Sequence, residues 1–300
     1  MTLPVVLALV AATVILSPIL VRAMDRKAGY PIALILAAAA VVLGREFPGV
    51  ADGQPLEWEV TWARDILGEG SAVSFALRAD GLSIFFALLA LVIGTVVMTY
   101  SAAYLPKRDG NTSFYTIMTA FTLSVLLLVL ANDTVVLFIG WELVSIASFL
   151  LIARSGSGGE AGSYRTLMLT FFGGLTLLAA LAVASISTGT TRLTEVLASD
   201  VWRENPGLTT TVAILVAVSG FTKAAQFPFH FWLPEAMAAA TPVSAFLHAA
   251  AVVKAGIYLL LRFSTIFSDV AAWNWLLLVV GLGTAIMSAL FAITKTDLKH

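Results

Sequence analysis

The 300-residue chain is 59% hydrophobic and 12% charged, with a mean hydropathy of +0.95. A soluble domain carries roughly 25% charged residues, so an ordinary cytosolic enzyme is excluded. Seventeen basic against 18 acidic residues leave a net charge of −1, which offers nucleic acid no basic face. Cysteine is absent, and His230, His248 and His300 are too far apart to form a metal cluster.

Helices that cross a bilayer need about 20 apolar residues each. Such runs fall near 3–22, 30–45, 80–104, 114–131, 134–154, 163–187, 208–228, 240–262 and 272–293, roughly nine helices, with the beginning of a tenth expected at the C-terminal end. This predicts an all-α, polytopic transmembrane helix bundle. The first run is not read as a cleaved leader, because Arg22, Arg26 and Lys27 follow it instead of preceding it. Between the runs, residues 46–79 hold Glu57-Trp-Glu-Val-Thr-Trp62, whose alternation predicts a short strand or hairpin outside the membrane. Residues 155–162, rich in Gly and Ser, read as a flexible linker. In 188–207, Leu193, Val196 and Leu197 suggest one amphipathic turn lying on the membrane. The polar turn from Thr294 to His300 suggests a chain that continues further.

Arg22, Arg26, Lys27, Lys107, Arg108, Arg154, Arg165, Lys295 and Lys299 fall on one set of alternate loops, in short connections. Arg45, Arg64, Arg78, Arg192, Arg203 and Arg262 fall on the other set, in longer ones. The positive-inside rule then places the first set in the cytoplasm and the N-terminus outside.

Charges inside the spans need a reason, since one at the bilayer centre costs roughly 2.5–3.5 kcal/mol on insertion scales. Glu142 and Lys223 are such residues, and the least costly arrangement pairs them across neighbouring helices. That pair is either a static packing device or part of an ion path. The segment after Lys223 contains Pro228 and Pro234, each of which removes a backbone donor and frees a carbonyl four residues earlier. Pro242 opens the next such segment. Freed carbonyls at membrane depth survive only against protein or internal water, so a broken helix carrying a charge suggests a transport path. His248 titrates near neutral pH and can pass a proton. Lys254, six residues on, lies about 120° away on an ideal helix. Exchange between His248 and Lys254 then needs water or local unwinding. Lys254 can equally snorkel to an interface. No cluster of carboxylates offers a hard cation a cage of oxygens.

Lys223-Ala-Ala-Gln-Phe-Pro-Phe-His-Phe-Trp-Leu-Pro-Glu-Ala-Met237, Thr241-Pro-Val-Ser-Ala-Phe-Leu-His248 and Ala255-Gly-Ile-Tyr258 closely resemble the signature of the antiporter-like proton-pumping subunits. That family spans membrane subunits of respiratory complex I, membrane-bound hydrogenases and Mrp-type multisubunit Na⁺/H⁺ antiporters. Phe138-Ile-Gly-Trp-Glu142 resembles its glutamate-bearing fifth helix. Asp80-Gly-Leu-Ser83 resembles the entry to its third helix, and Thr294-Lys-Thr-Asp-Leu-Lys299 the start of a motif leading into its tenth. Lys254 is the feature that resembles the long MrpA-type member of the Mrp antiporters, because the complex I homologue usually has a small polar residue there. Ala240 departs from the proline usual in the family's Ala-Pro-Thr-Pro.

The resemblance implies two inverted five-helix repeats with broken helices. An N-terminal three-helix segment would span 1–110, the first repeat 111–263, and the start of the second 264–300. It implies a transporter subunit, not an enzyme, exchanging Na⁺ (or Li⁺ or K⁺) for H⁺ across the cell membrane with other membrane subunits and no cofactor, in the service of pH homeostasis. By the same resemblance Glu142 is the modulating carboxylate, Lys223 its proton-carrying partner, and His248 and Lys254 the central relay. His230 lies near the cytoplasmic entry, and Lys299 links to a second half-channel. A proton-pumping subunit of a complex I-like enzyme or hydrogenase is the alternative, and a structural scaffold with proton chemistry elsewhere is a third reading.

Overall fold

The computed structural model describes residues 1–64, 72–107, 110–154, 157–237 and 239–295. The chain begins with α1 (Thr2–Met24), a 3-10 turn (Asp25–Ala28) and α2 (Gly29–Gly44), followed by the short α3 (Phe47–Ala51). An antiparallel hairpin of β1 (Leu56–Arg64) and β2 (Ala72–Ala79) comes next, with Leu56 opposite Ala79 and an irregularity between Thr61 and Ala63. Then come α4 (Gly81–Tyr104), α5 (Asn111–Leu130), α6 (Thr134–Ala153) and α7 (Ser157–Thr188). Two short helices, α8 (Leu193–Ala198) and α9 (Val201–Glu204), lead to α10 (Pro206–Lys223). The remainder is a 3-10 turn (Phe229–Phe231), α11 (Trp232–Ala236), α12 (Thr241–Ala249), α13 (Val252–Phe267) and α14 (Ala271–Thr294).

Seven stretches among the described residues are long and apolar enough to cross a membrane. Thr2–Gly44, which turns back on itself at Asp25–Ala28, is the first, and α12 with α13 make another. The expected spans are therefore all helical, with α10 cut short at Lys223. Aspartates start two of the helices: Asp80 accepts from Ser83 N (3.0 Å) and Asp133 from Val135 N (2.8 Å), each supplying a bond that the first helical turn lacks.

The helices pack in a chain of neighbours, α2 on α4, α1 on α5, α5 on α6, α6 on α7, α7 on α10 and α10 on α13. At one end, Asn132 N donates to Ala76 O (2.8 Å), Thr191 Oγ1 to Asp133 Oδ2 (2.6 Å), and Arg192 pairs with Glu59, tying the hairpin to the α7–α8 connection. At the other, Arg26 donates to Leu105 O (3.1 Å) and Asn111 to Asp25 (2.7 Å). The bundle thus sorts its connections onto two ends as the charge count expects, with Arg22, Arg26, Lys27, Lys107, Arg154 and Lys295 together on the second.

Two local readings are corrected. From Ser157 onward the expected flexible linker is the first turn of α7, because Gly162 lets this helix pack against Glu235 of α11; residues 155 and 156 lie outside the described residues. Leu193 and Val196 of α8 are buried in the protein, and their apolar face is not turned to lipid.

Candidate functional site: buried charge at a broken helix

Helix α10 stops at Lys223 because the backbone turns sharply there. Ala225 has φ 51°, a left-handed conformation that strains a residue with a Cβ. Gln226 N bonds Phe221 O (2.9 Å), closing the helix end, and Phe227 N donates to Thr284 Oγ1 of α14 (2.9 Å). The Thr222 carbonyl accepts from the buried Trp232 indole (2.9 Å), so a carbonyl freed at the break is satisfied by protein. Gly256 brings α13 directly onto this end, since a Cβ there would stand 2.6 Å from Ala224 N and from Gly220 O.

Lys223 is fully buried, at 0% exposure. Its ammonium donates to the Trp141 carbonyl (2.5 Å) and lies 4.0 Å from the Trp141 ring centroid, a cation–π contact. The expected ion pair with Glu142 is not formed: Lys223 bonds the Trp141 carbonyl instead, and Glu142 Oε1 is buried without a hydrogen-bond partner. The physical reason is that the two side chains take different neighbours: Lys223 reaches the Trp141 carbonyl of α6, and Glu142 turns toward α7. Helix α7 packs on both α6 and α10, and the Glu142 carboxylate lies against Gly174 of α7. Glu142 Oε1, Trp141 Nε1 and Ser219 Oγ are all buried without a hydrogen-bond partner in the protein, which makes the surroundings of Lys223 polar and unsatisfied.

His248 and Lys254, both half-buried, belong to different helices, α12 and α13. The chain breaks between them at Ala250–Ala251, so the ideal-helix angle of 120° does not describe their relation. Pro242 stands in the first turn of α12, where a proline costs no hydrogen bond, and it therefore begins a helix instead of breaking one. Pro234 sits within the short α11, and Pro228 in the interruption after α10. Lys254 makes no hydrogen bond or ion pair among the described residues. His230 stacks among Phe227, Phe231 and Phe291, in a cleft of about 790 Å³ shared with Arg165, Glu235 and Lys295. Lys299 lies outside the described residues.

The structure thus brings together Lys223, Trp141 and Glu142, and seats α13 on the end of α10 through Gly256. It makes no direct bond from Lys223 to His248 or Lys254. Trp141, Thr222, Ser219, Gly173 and Gly174 join the site without having been singled out for it; only their closeness to Glu142 and Lys223, and the Gly-Gly pair, could have pointed to them. Among the described residues no three His, Cys, Asp or Glu side chains cluster to hold a metal ion.

Comparison with known proteins places this arrangement. Residues 131–300 match the family described as NADH:quinone oxidoreductase/Mrp antiporter, transmembrane, and residues 67–115 match the complex I chain 5 N-terminus family. A protein of Staphylococcus aureus named for an antiporter subunit, mnhA2, is 38% identical over 298 residues, covering 97% of this chain and 37% of its own length. A chain in the structure of the Mrp complex from Dietzia sp. DQ12-45-1b superposes with a TM-score of 0.94 at 45% identity, over 100% of this chain and 32% of that one. A chain of an archaeal membrane-bound sulfane sulfur reductase shares the fold, with a TM-score of 0.76 at 21% identity over 97% of this chain and 58% of that one. The present chain spans about a third of the length of the Staphylococcus aureus and Dietzia proteins. It belongs to the NADH:quinone oxidoreductase/Mrp antiporter transmembrane family, as a multi-pass helical membrane protein.

Proposed function

We propose that this chain forms a proton path of a cation/proton antiporter, exchanging Na⁺, or Li⁺ or K⁺, for H⁺ across the cytoplasmic membrane within a hetero-oligomeric complex. The observation that carries the reading is Lys223: an ammonium at 0% exposure, at the end of a broken helix, with no carboxylate in contact among the described residues. A static structural charge would be paired, because an uncompensated buried ion costs several kcal/mol. Here the acid is on the helix that Lys223 touches, one residue from its carbonyl partner Trp141, but turned to another neighbour.

In this mechanism Glu142, when charged, favours the proton on Lys223. Neutralising or withdrawing that carboxylate leaves a bare cation in a low-dielectric interior, and the proton leaves Lys223 for His248 and Lys254 across the α12–α13 break. His230 is assigned to the cytoplasmic entry and Lys299 to the onward link. Of the proposed repeat boundaries, the one at 111 falls at the start of α5, whereas the one at 263/264 falls inside α13, four residues before its end; a break between repeats there belongs between α13 and α14. An outside N-terminus fits the gathering of basic residues at the opposite end.

A redox-driven pump is the second reading, favoured by the family's complex I branch. The relative at 38% identity is named for an antiporter subunit, which favours exchange. Na⁺-driven proton movement in everted vesicles holding the intact complex tests both. Exchange in wild type and none in Lys223→Ala supports the proposal. A gradient built only by NADH oxidation favours the pump. Equal exchange in both proteins makes the buried charges structural.

A further inference from the structure

We infer that Gly174 is a positioning residue of the proton path, a notch in α7 whose lack of a side chain holds the Glu142 carboxylate where it can act on Lys223. The inference rests on the proposed relay. A Cβ built at Gly174 would stand 1.9 Å from Glu142 Oε1 and 3.0 Å from its Cδ. One built at Gly173 would stand 1.9 Å from Thr222 Oγ1 and 2.9 Å from Thr222 Cβ. Consecutive residues point about 100° apart on a helix, so each glycine serves one neighbour: Gly174 the acid on α6, Gly173 the residue before Lys223 on α10.

The Glu142 oxygen in the notch is buried and accepts no hydrogen bond from the protein. No donor fixes that oxygen; the shape of α7 does. The two glycines also differ in what they would displace. Thr222 is β-branched and fully buried, its hydroxyl bonded to Ser219 O (2.7 Å), so it cannot yield to a methyl at Gly173 without disturbing α10. At Gly174 the methyl meets the free end of a flexible side chain. Alanine is also the better helix former. The change Gly174→Ala therefore leaves the bundle intact and moves the carboxylate.

The test compares Gly174→Ala, Glu142→Gln, Glu142→Asp and the double variant Gly174→Ala/Glu142→Asp in the intact complex, measuring complex assembly and exchange against pH in everted vesicles. Gly174→Ala is expected to assemble normally, to exchange about fivefold more slowly or worse, the low end of losing a coupling interaction between sites, and to show a displaced pH profile. The shorter Asp should relieve the overlap, so that the double variant exchanges faster than Gly174→Ala alone. If assembled Gly174→Ala keeps the wild-type rate and pH profile while Glu142→Gln is inactive, the notch is idle and the relay stands. If Glu142→Gln itself exchanges normally, the relay fails first. Should Gly174→Ala not assemble, the double variant decides. Restored assembly shows that the methyl strikes the carboxylate, and unrestored assembly shows that it strikes something else and overturns the inference.

Discussion

At the hairpin end of the bundle, Arg262 of α13 grips both carboxylate oxygens of Asp80 and bonds the hydroxyls of Ser83 (2.6 Å) and Tyr258 (3.1 Å). Tyr258 in turn donates to Val129 O of α5 (2.9 Å). Midway along α6, by contrast, Lys223 meets a carbonyl and an indole face, and Glu142 meets a glycine. The first site matches each charge with an opposite one and fills its hydrogen bonds, which ties α4, α5 and α13 into one body. The second leaves its two charges apart. Under the proposed reading, the paired and satisfied charges hold the fold, and the unpaired ones are those assigned to proton transfer.

The largest effect follows from removing the unpaired cation. Lys223→Ala should leave the complex assembled and reduce exchange about 10²-fold or more, the scale of losing a proton-transfer group. The measurement is initial exchange rate per assembled complex. A complex that no longer assembles would put Lys223 with the structural charges and erase the contrast. Glu142→Gln follows, with an expected loss of about tenfold or more, because it removes a modulating interaction of the size typical of coupling between sites.

At the paired site the signature should be reversed, in stability instead of exchange. Burial opposes a charge on Asp80, yet the hydrogen bonds and charge of Arg262, with Ser83, outweigh it and bring its pKa down to about 2. A depressed carboxyl contributes stability above its unfolded value, near 3.8, and loses it as pH falls toward 2. Asp80→Asn strands Arg262 and should cost about 3 kcal/mol at neutral pH, at the low end for breaking a buried pair. Its thermal midpoint should be lower than that of wild type at pH 7, with the gap narrowing as pH drops below 4. The pH profile of exchange in whatever complex remains assembled should not move.

How much of this was legible in the sequence follows the same division. The spans, the hairpin around Glu57–Trp62 and the interruption at Pro228 could be read from local pattern, because apolar length, alternation and a missing N–H act within a few residues. The identities of Glu142 and Lys223 were legible as costs, since charge in an apolar run needs a cause. Their geometry was not. Pairing them directly overlooked α7, where Gly174 receives the Glu142 carboxylate. The break between His248 and Lys254 gives no local sign at all: Ala249-Ala250-Ala251 favours a helix, so its opening there is imposed by tertiary packing, as where Gly256 seats α13 on the end of α10.

The smallest expected effect sharpens the comparison with a third kind of buried acid. Asp133, 1% exposed, has no cationic partner among the described residues; it caps α6 and accepts from Thr191 Oγ1. Burial raises its pKa despite these hydrogen bonds. An acid raised in the folded state stabilises the fold when protonated, and costs stability once the pH passes its unfolded value and climbs through the folded one. Asp133→Asn removes that cost. It keeps an oxygen to cap Val135 N, and asparagine caps about as well as aspartate. Against this it gives up a negative charge at a helix N-terminus, worth about 0.3–1 kcal/mol. The two terms oppose each other, so stability at pH 7, read from the thermal midpoint, should shift by less than about 1 kcal/mol in either direction, the scale of the helix-terminus charge given up. The difference between variant and wild type should change in the variant's favour as pH rises from 4 to 7. A loss at pH 7 as large as that of Asp80→Asn would mean that Asp133 belongs with the paired charges, its partner supplied by a group that Thr191 and the α6 N-terminus do not account for.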